Sequence, residues 1–373
     1  MKKQILFFTN LHPLPWQPTR ATYNREETRN LCDHAEITLL IPVPWFIWFK
    51  EVVFNGYRSE PNMCLFPFFY IPKVLSFLHP FFLLISVFLS VKPLFLFSKA
   101  NNVIASWAYA EGVCAAILKK VFRFKLVIEC LGSDVNALMK KPGHKAQIRW
   151  AFQVANAVTT KSHALAEVVM RHAPQVMPKV IYNGVDFETF SVRTTPIFKR
   201  PLAHLVFIGS IIPTKGVFEL LSGIAALEDS SKIKLSIIGA GSSSSSLEEK
   251  IISLGLQLTV TMKGSIEHKD LFEHIQHADA LILPSYREGI PNVIMESLAT
   301  GTPVIATQVG GIPEVVEDGV NGILIEPRSS TAVTDGILRA MKSEWNPFEI
   351  ATSIKHYSWD QTAQQIIKLL SDD

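Results

Sequence analysis

Two glutamates with seven residues between them, Glu288 and Glu296, flank the turn Gly289-Ile290-Pro291-Asn292. The turn follows an apolar run, Ala280–Leu283, and Asn292 stands directly before "VIMESLA". Asparagine at that point is read as a helix cap, with Gly301 and Pro303 as the stop signal. The first turn of such a helix carries N–H groups that have no partner within the helix, together with the positive end of its dipole. An anion, a phosphate above all, is the ligand that suits it. Carboxylates beside a phosphate would repel the phosphate itself. Glu288 and Glu296 are therefore better placed to accept hydrogen bonds from hydroxyls, which sugars and riboses supply.

The elements that must position these residues are legible as apolar runs. Ile5–Phe8, Ile37–Ile41, Val103–Ala105, Leu126–Ile128 and Ala157–Thr160 form one set of strands; Leu205–Ile208, Lys234–Ile238, Leu258–Met262, Ala280–Leu283 and Val304–Ala306 form a second. Continuous rather than alternating apolar runs are what strands buried on both faces of a parallel sheet require. Helical patterns at Gly216–Leu227, Leu247–Leu254 and Asn292–Ala299 fall between them, which implies βαβ units. With 373 residues the chain exceeds one ordinary core, so two doubly wound α/β domains are expected. We place the first at residues 1–190 and the second at 200–350, with the linker in Phe190–His204, where Pro, Thr and Arg interrupt the pattern.

Composition narrows the function. A formal net charge of +3 is too small to argue for nucleic acid, though it suits an anionic ligand or an anionic membrane surface. Cys32, Cys64, Cys114 and Cys130 have no metal-ligand spacing, and reduced thiols in a cytoplasm fit them. The start, "MKKQILFFTN", has an apolar run too short for an export signal and reads as a first buried strand. Half of the 24 phenylalanines lie between Trp45 and Phe97, far more than one core helix needs. His79-Pro80 and Lys92-Pro93 interrupt that stretch, so peripheral contact with a membrane through about residues 65–97 is expected rather than a span. Ser86 and Ser90, four apart, are read as one face of a helix there.

The segment "SYREGIPNVIMESLATGTPVIATQVGGIPEVVEDGVNGIL" closely resembles the donor site of the retaining glycosyltransferases of family 4, which have the GT-B fold of two Rossmann-like domains facing across a cleft. The resemblance implies that Glu288 contacts the donor sugar and supports charge at its anomeric centre. It implies that Glu296 binds the ribose hydroxyls, and that the backbone from Gly289 through Ile290, Pro291 and Asn292 to Val293 holds sugar and diphosphate. "FIGSIIPTKG" is similar to the family's diphosphate loop, with Gly209 in place and Lys215 at the lysine that neutralises the leaving diphosphate. Ser210 stands where the family has arginine. His268, in the segment that resembles the one beside the nucleotide base, is read as a loop residue.

The first half resembles the family as well. "SWAYAEGVCAAIL" and "KLVIECLGSDVNAL" match its acceptor-side segments, with Trp107 and Asp134 retained but Ser106 and Leu131 where relatives often carry histidine. The loop after the first strand lacks the usual glycine pair and offers Pro18, Thr19, Arg20 and Asn24 instead. "KVIYNGVDFETF" matches the interdomain segment, and residues 357–373 match a helix that crosses back to the first domain.

The activity implied is transfer of a hexose from a nucleoside diphosphate sugar, UDP-sugar first among the donors, to a hydroxyl acceptor with retention. Glu288, Asp134 and Lys215 are the expected catalytic groups. No metal and no cofactor are expected, the sugar nucleotide being a co-substrate. The aromatic first half points to a lipid-linked saccharide acceptor at the cytoplasmic face of a membrane, as in bacterial surface polysaccharide assembly; soluble acceptors stay open. The departures at Ser210, Ser106 and Leu131 keep open a second reading, a non-catalytic relative that binds a nucleotide sugar or a partner transferase. An epimerase on the same fold is a third.

Overall fold

The computed structural model describes residues 2–18, 20–70 and 75–371. It forms two compact units, Met1–Gly184 with Trp359–Asp373, and Val185–Ser358. Among the described residues the first unit has seven strands: β1 (Lys3–Phe8), β2 (Ala35–Pro44), β3 (Met63–Phe68), β4 (Asn102–Ser106), β5 (Lys125–Cys130), β6 (Ala157–Thr160) and β7 (Lys179–Val180). They are all parallel, in the order β3-β2-β1-β4-β5-β6-β7. The second unit has six parallel strands: β8 (Ala203–Ile208), β9 (Ile233–Ile238), β10 (Val260–Gly264), β11 (Ala280–Leu283), β12 (Val304–Thr307) and β13 (Gly322–Ile325), in the order β10-β9-β8-β11-β12-β13.

In each sheet the chain winds outward in one direction, then returns to the middle and winds the other way. The reversal falls between β1 and β4 in the first unit and between β8 and β11 in the second. Loops at the carboxyl ends of strands separate there and leave a crevice, the usual ligand position in open α/β sheets. Most of the loops singled out in the sequence leave from those four strands; the Asp134 turn follows β5, beside β4.

Three strands are additions to the sequence reading. β3, "MCLFPF", carries Pro67 and is an edge strand, where a missing N–H is tolerated. β7 is two residues long, too short for any pattern, and β13, "GILI", is a four-residue edge strand that opens on glycine. The expected linker, Phe190–His204, belongs to the second unit instead. Phe190 and Ile197 are buried in its core. Arg193, 2% exposed, donates from its guanidinium to Ala278 O, Thr302 Oγ1 and Thr195 O. The helix Trp359–Leu369 packs in the first unit, where Ala363 and Ile366 join Ile5, Phe7 and Leu31, and Asp360 pairs with His34 at 2.8 Å.

The aromatic stretch also differs in detail. Helices His79–Leu89 and Val91–Lys99 meet at Ser90. With the turn before them they bend by 96°, and among the described residues no single helix is long and apolar enough to cross a membrane. Ser86 therefore does not share a helix with Ser90. It is buried, donates to Phe82 O and accepts from Phe69 N, fixing the helix to the end of β3.

Under the first sheet's carboxyl edge lies a buried ionic cluster. Lys161 Nζ is 3.0 Å from Glu27 Oε2 and 3.5 Å from Glu129 Oε1, and all three side chains are at most 9% exposed. One ammonium faces two carboxylates in a region poor in water, so a proton is retained. Burial and the Glu129 charge together push Glu27 up to about 8, against the pull of Lys161. Burial likewise pushes Glu111 up to about 7, outweighing its backbone hydrogen bonds. Both carboxyls bind protons more tightly folded than unfolded. Their stabilisation is complete below the ordinary glutamate range and is lost as pH rises through about 7 to 8. The thermal midpoint should therefore fall by about 5 °C between pH 6 and pH 8.5, and Glu27→Gln should flatten most of that slope. A wild-type midpoint independent of pH over this range contradicts the account.

Candidate functional site

The second unit's site is built by loops that touch through backbone. After β8 the chain passes Gly209, exposed Ser210 and the turn Pro213–Lys215 before Gly216, whose φ is +71°. A Cβ at Gly216 would lie 1.9 Å from Pro284 O, so only glycine lets this loop rest against the end of β11. Tyr286 N donates to Thr214 O at 2.9 Å and closes the join. From the other side Gly310, φ +56°, lies where a Cβ would meet Glu288 O at 1.9 Å, and Gly311 N donates to Gly289 O.

Pressed between these loops, Lys215 Nζ donates to Glu288 Oε1 at 2.5 Å. Their side chains are 24% and 11% exposed, so water screens the pair only partly. The helix Asn292–Ala299 starts four residues on, with Glu296 in its second turn. Its cap position is Pro291, with no side-chain cap, so Asn292 is the first helical residue rather than the expected cap. The extended Pro291, ψ 130°, supplies the entry geometry itself. Gly289, Ile290, Asn292 and Val293 are half-buried, lining the approach to that helix start.

Glu296 is 6% exposed, and its Oε1 lies 2.7 Å from His268 Nε2. His268 thus takes part in the site rather than serving as a bare loop residue, and its ring meets Phe190 edge-on at 5.8 Å. Each glutamate is matched to one basic side chain drawn from elsewhere in the sequence. A further group escaped the sequence reading. Tyr286 donates to Glu219 Oε1 at 2.5 Å, and the Arg328 guanidinium lies 4.8 Å from the Tyr286 ring centroid. Burial and the Glu219 carboxylate raise Tyr286 to about 12, so it stays a donor. Ser210 leaves its position without a cation, and Arg328 brings one to the Tyr286 ring in the loop after β11. Among the described residues no three His, Cys, Asp or Glu side chains converge as a metal centre would need.

In the first unit the structure reassigns two residues. Asn24 is fully buried, donating to Leu11 O at 2.6 Å and accepting from Ser106 Oγ at 3.3 Å. It ties the ends of β1 and β4 together and is closed to an acceptor, contrary to expectation. Ser106 fits that network, with no exposed surface. Arg20 remains exposed, donating to Asn10 Oδ1 and Gln17 Oε1, and Pro18 is exposed beside it. Thr19 lies outside the described residues.

Asp134, expected to be catalytic, is also fully buried. Its carboxylate accepts from Ala108 N at 2.9 Å, Gly132 N at 2.8 Å, Val135 N at 3.1 Å and Leu131 N. Burial raises its pKa, while these four donors oppose the shift. Asp134 is a positioning residue: it clamps the turn after β5 to the turn after β4, where Trp107 is held at φ +129°, ψ 122°. That conformation is costly for a side chain larger than glycine and persists only where surroundings enforce it. The clamp fixes the half-buried indole of Trp107 at the sheet's carboxyl edge.

Two outcomes follow for chemical unfolding. Trp107→Gly should be more stable than Trp107→Ala by about 1–2 kcal/mol, because only alanine retains the strain. Asp134→Ala should cost about 3 kcal/mol, leaving backbone donors buried without an acceptor. Equal stability of the two Trp107 variants contradicts the clamp.

The comparisons with known proteins agree with this geometry. The family model for glycosyl transferases group 1 matches residues 198–358. An uncharacterized glycosyltransferase of Methanocaldococcus jannaschii is 28% identical over 230 residues, 57% of this chain and 59% of its own length, so the chain spans less than two thirds of that relative. The putative teichuronic acid biosynthesis glycosyltransferase TuaC of Bacillus subtilis is 27% identical over 374 residues, 94% of this chain and 92% of the relative. Anabaena HepE, solved in complex with UDP, superposes with a TM-score of 0.72 over 99% of both chains at 19% identity. With its two parallel doubly wound sheets the chain has the GT-B fold, and its second unit carries the stretch that matches the glycosyl transferases of group 1.

Proposed function

We propose that the chain transfers a sugar from a nucleoside diphosphate sugar to a hydroxyl of a lipid-linked saccharide, with retention at the anomeric carbon. The observation that carries this reading is the Lys215–Glu288 pair, 2.5 Å long, at the β8/β11 reversal and beside the start of the helix Asn292–Ala299. A diphosphate entering there offers Lys215 a stronger counter-charge than one carboxylate, and the helix start adds its N–H groups. Glu288 is then released to the hydroxyls of the donor sugar. Glu296, oriented by His268, accepts from the ribose. UDP is favoured as the nucleotide because HepE is recorded with it.

In the transfer step the bond from the anomeric carbon to the diphosphate oxygen breaks, and its electron pair leaves with the phosphate. Lys215 and the helix start stabilise that charge. The acceptor oxygen bonds to the same face of the sugar, and its proton passes to the departing phosphate oxygen. Positioning and electrostatics supply the catalysis, so no metal ion is assigned a role.

The membrane side of the proposal rests on the first unit. Phe81, Ile85 and Phe88 share one helix face and are 44–51% exposed, and Leu89, Val91 and Phe95 continue the apolar surface at 58–86%. Residues 71–74 of the expected contact lie outside the described residues. The small net charge of the whole chain conceals a division. The first unit has 22 Lys and Arg against 13 Asp and Glu, a net of +9, and the second has 14 against 20, a net of −6. A basic unit with exposed aromatics suits an anionic bilayer face. TuaC, whose name places it in teichuronic acid biosynthesis, supports an acceptor in polysaccharide assembly.

With a UDP-sugar as donor, Glu288→Gln should lower turnover at least 100-fold. The same variant should bind UDP as tightly as wild type or several-fold tighter, because Lys215 no longer has a carboxylate to leave. Parallel loss of UDP binding and turnover contradicts the exchange. In co-sedimentation with phosphatidylglycerol vesicles, wild type should pellet, and Phe88→Ser with Phe95→Ser should remain in solution. Equal behaviour of both proteins contradicts the membrane contact.

A further inference from the structure

The first unit contains a cavity of about 480 Å³ whose lining shares only Pro18 with the residues given a binding role above. It lies under the loop after β1, against the helix Thr22–His34 and the segment that enters β3. Its chemistry is divided. Leu14, Ile37, Leu39 and Met63 contribute apolar surface from the margin of the core, each buried yet retaining 5–8% exposure. On the helix, Arg25 and Arg29 reach the same cavity from positions one turn apart. Glu26, between them in sequence, lies 3.2 Å from the Arg25 guanidinium and 3.8 Å from that of Arg29. His12 also lines the cavity; burial above all, with the nearby Arg25, lowers its pKa. Among the described residues the lining holds two guanidiniums and one carboxylate, Glu60, and Glu26 at its edge is shared by both guanidiniums, so an anionic head would take the place that Glu26 holds beside them.

An inorganic anion would leave the apolar floor bare, and a neutral saccharide would leave hydroxyls facing aliphatic carbon. An amphiphile with an anionic head satisfies both halves. Its wall residue Tyr57 follows, by three positions in the sequence, Phe54, which is 80% exposed and ends a helical stretch with Trp45, Phe46 and Phe49 also exposed. Trp16 packs edge-on against Tyr57 at 5.4 Å and closes that wall.

We propose that this cavity binds the phosphate-bearing lipid end of the acceptor, with Arg25 and Arg29 on the phosphate and the apolar floor under the first carbons of the chain. This rests on the lipid-linked acceptor reading and gives it a residue-level site. The test is calorimetric titration of the full chain with octyl phosphate, inorganic phosphate and octyl glucoside, below micelle formation, with UDP titrated into every sample. Octyl phosphate should bind at least tenfold tighter than either control. The Arg25→Ala/Arg29→Ala double variant, both positions being at the surface, should lose at least tenfold in octyl phosphate affinity and keep UDP affinity unchanged. Tyr57→Ala should weaken octyl phosphate severalfold, again without effect on UDP. Octyl phosphate binding no tighter than inorganic phosphate overturns the amphiphile site. Equal binding of octyl phosphate and octyl glucoside, unmoved by the double variant, overturns it as adsorption of a tail. Failure of wild type to bind UDP would count against the transferase reading instead, so the two ideas fail separately.

Discussion

One ion pair organises the second unit's site, and the rest of that unit makes the pair possible. Lys215 and Glu288 leave different strands, β8 and β11, with 72 residues between them. They meet because backbone touches backbone at Gly216 and Gly310, where a single Cβ would force the loops apart. In partial burial an unmatched ammonium or carboxylate is costly, so each group stabilises the other until a ligand replaces one of them. Such a pair is stable enough to persist and poised for exchange. A diphosphate that displaces Glu288 leaves a carboxylate free at the point where a donor sugar's hydroxyls need an acceptor.

The first unit solves a different problem with the same topology. Its carboxyl edge is crowded with buried polar groups: Asn24 with Thr9 and Ser106, Asp134 with four backbone donors, and Lys161 with Glu27 and Glu129. These networks hold loops in strained or otherwise unfavourable forms, the Trp107 backbone above all. Rigid edges of this kind present side chains such as Trp107 and Arg20 at fixed positions. The charge division between the units adds to this. A basic first unit favours an anionic surface, while the acidic second unit presents Lys215 at its donor loops.

Much of this was legible in the sequence because strands buried on both faces must be continuous apolar runs, and the helix Asn292–Ala299 matches its expected limits. The ligand loops were legible for a related reason: glycines, a proline and opposite charges cluster at strand ends. What stayed hidden depends on distance or burial. His268 reaches Glu296 across 28 positions, and Arg328 reaches Tyr286 from the loop after β13, with no local signal for either. Asn24 and Asp134 are polar residues near a site, and polarity alone does not say whether a side chain faces ligand or backbone. The stretch Phe190–His204 looked like a linker because Pro and Arg interrupt the apolar pattern; Arg193 is instead one of the largest buried side chains of the second unit.

The central claim is that the Lys215 ammonium, held by Glu288 at rest, is the seat of the donor diphosphate. Calorimetric titration of UDP into wild type and Lys215→Ala tests it most directly. The account predicts measurable binding by wild type and at least a tenfold loss in the variant, about 1.4 kcal/mol or more. Equal UDP affinity in the two proteins would contradict it and would move the diphosphate away from the Lys215–Glu288 pair.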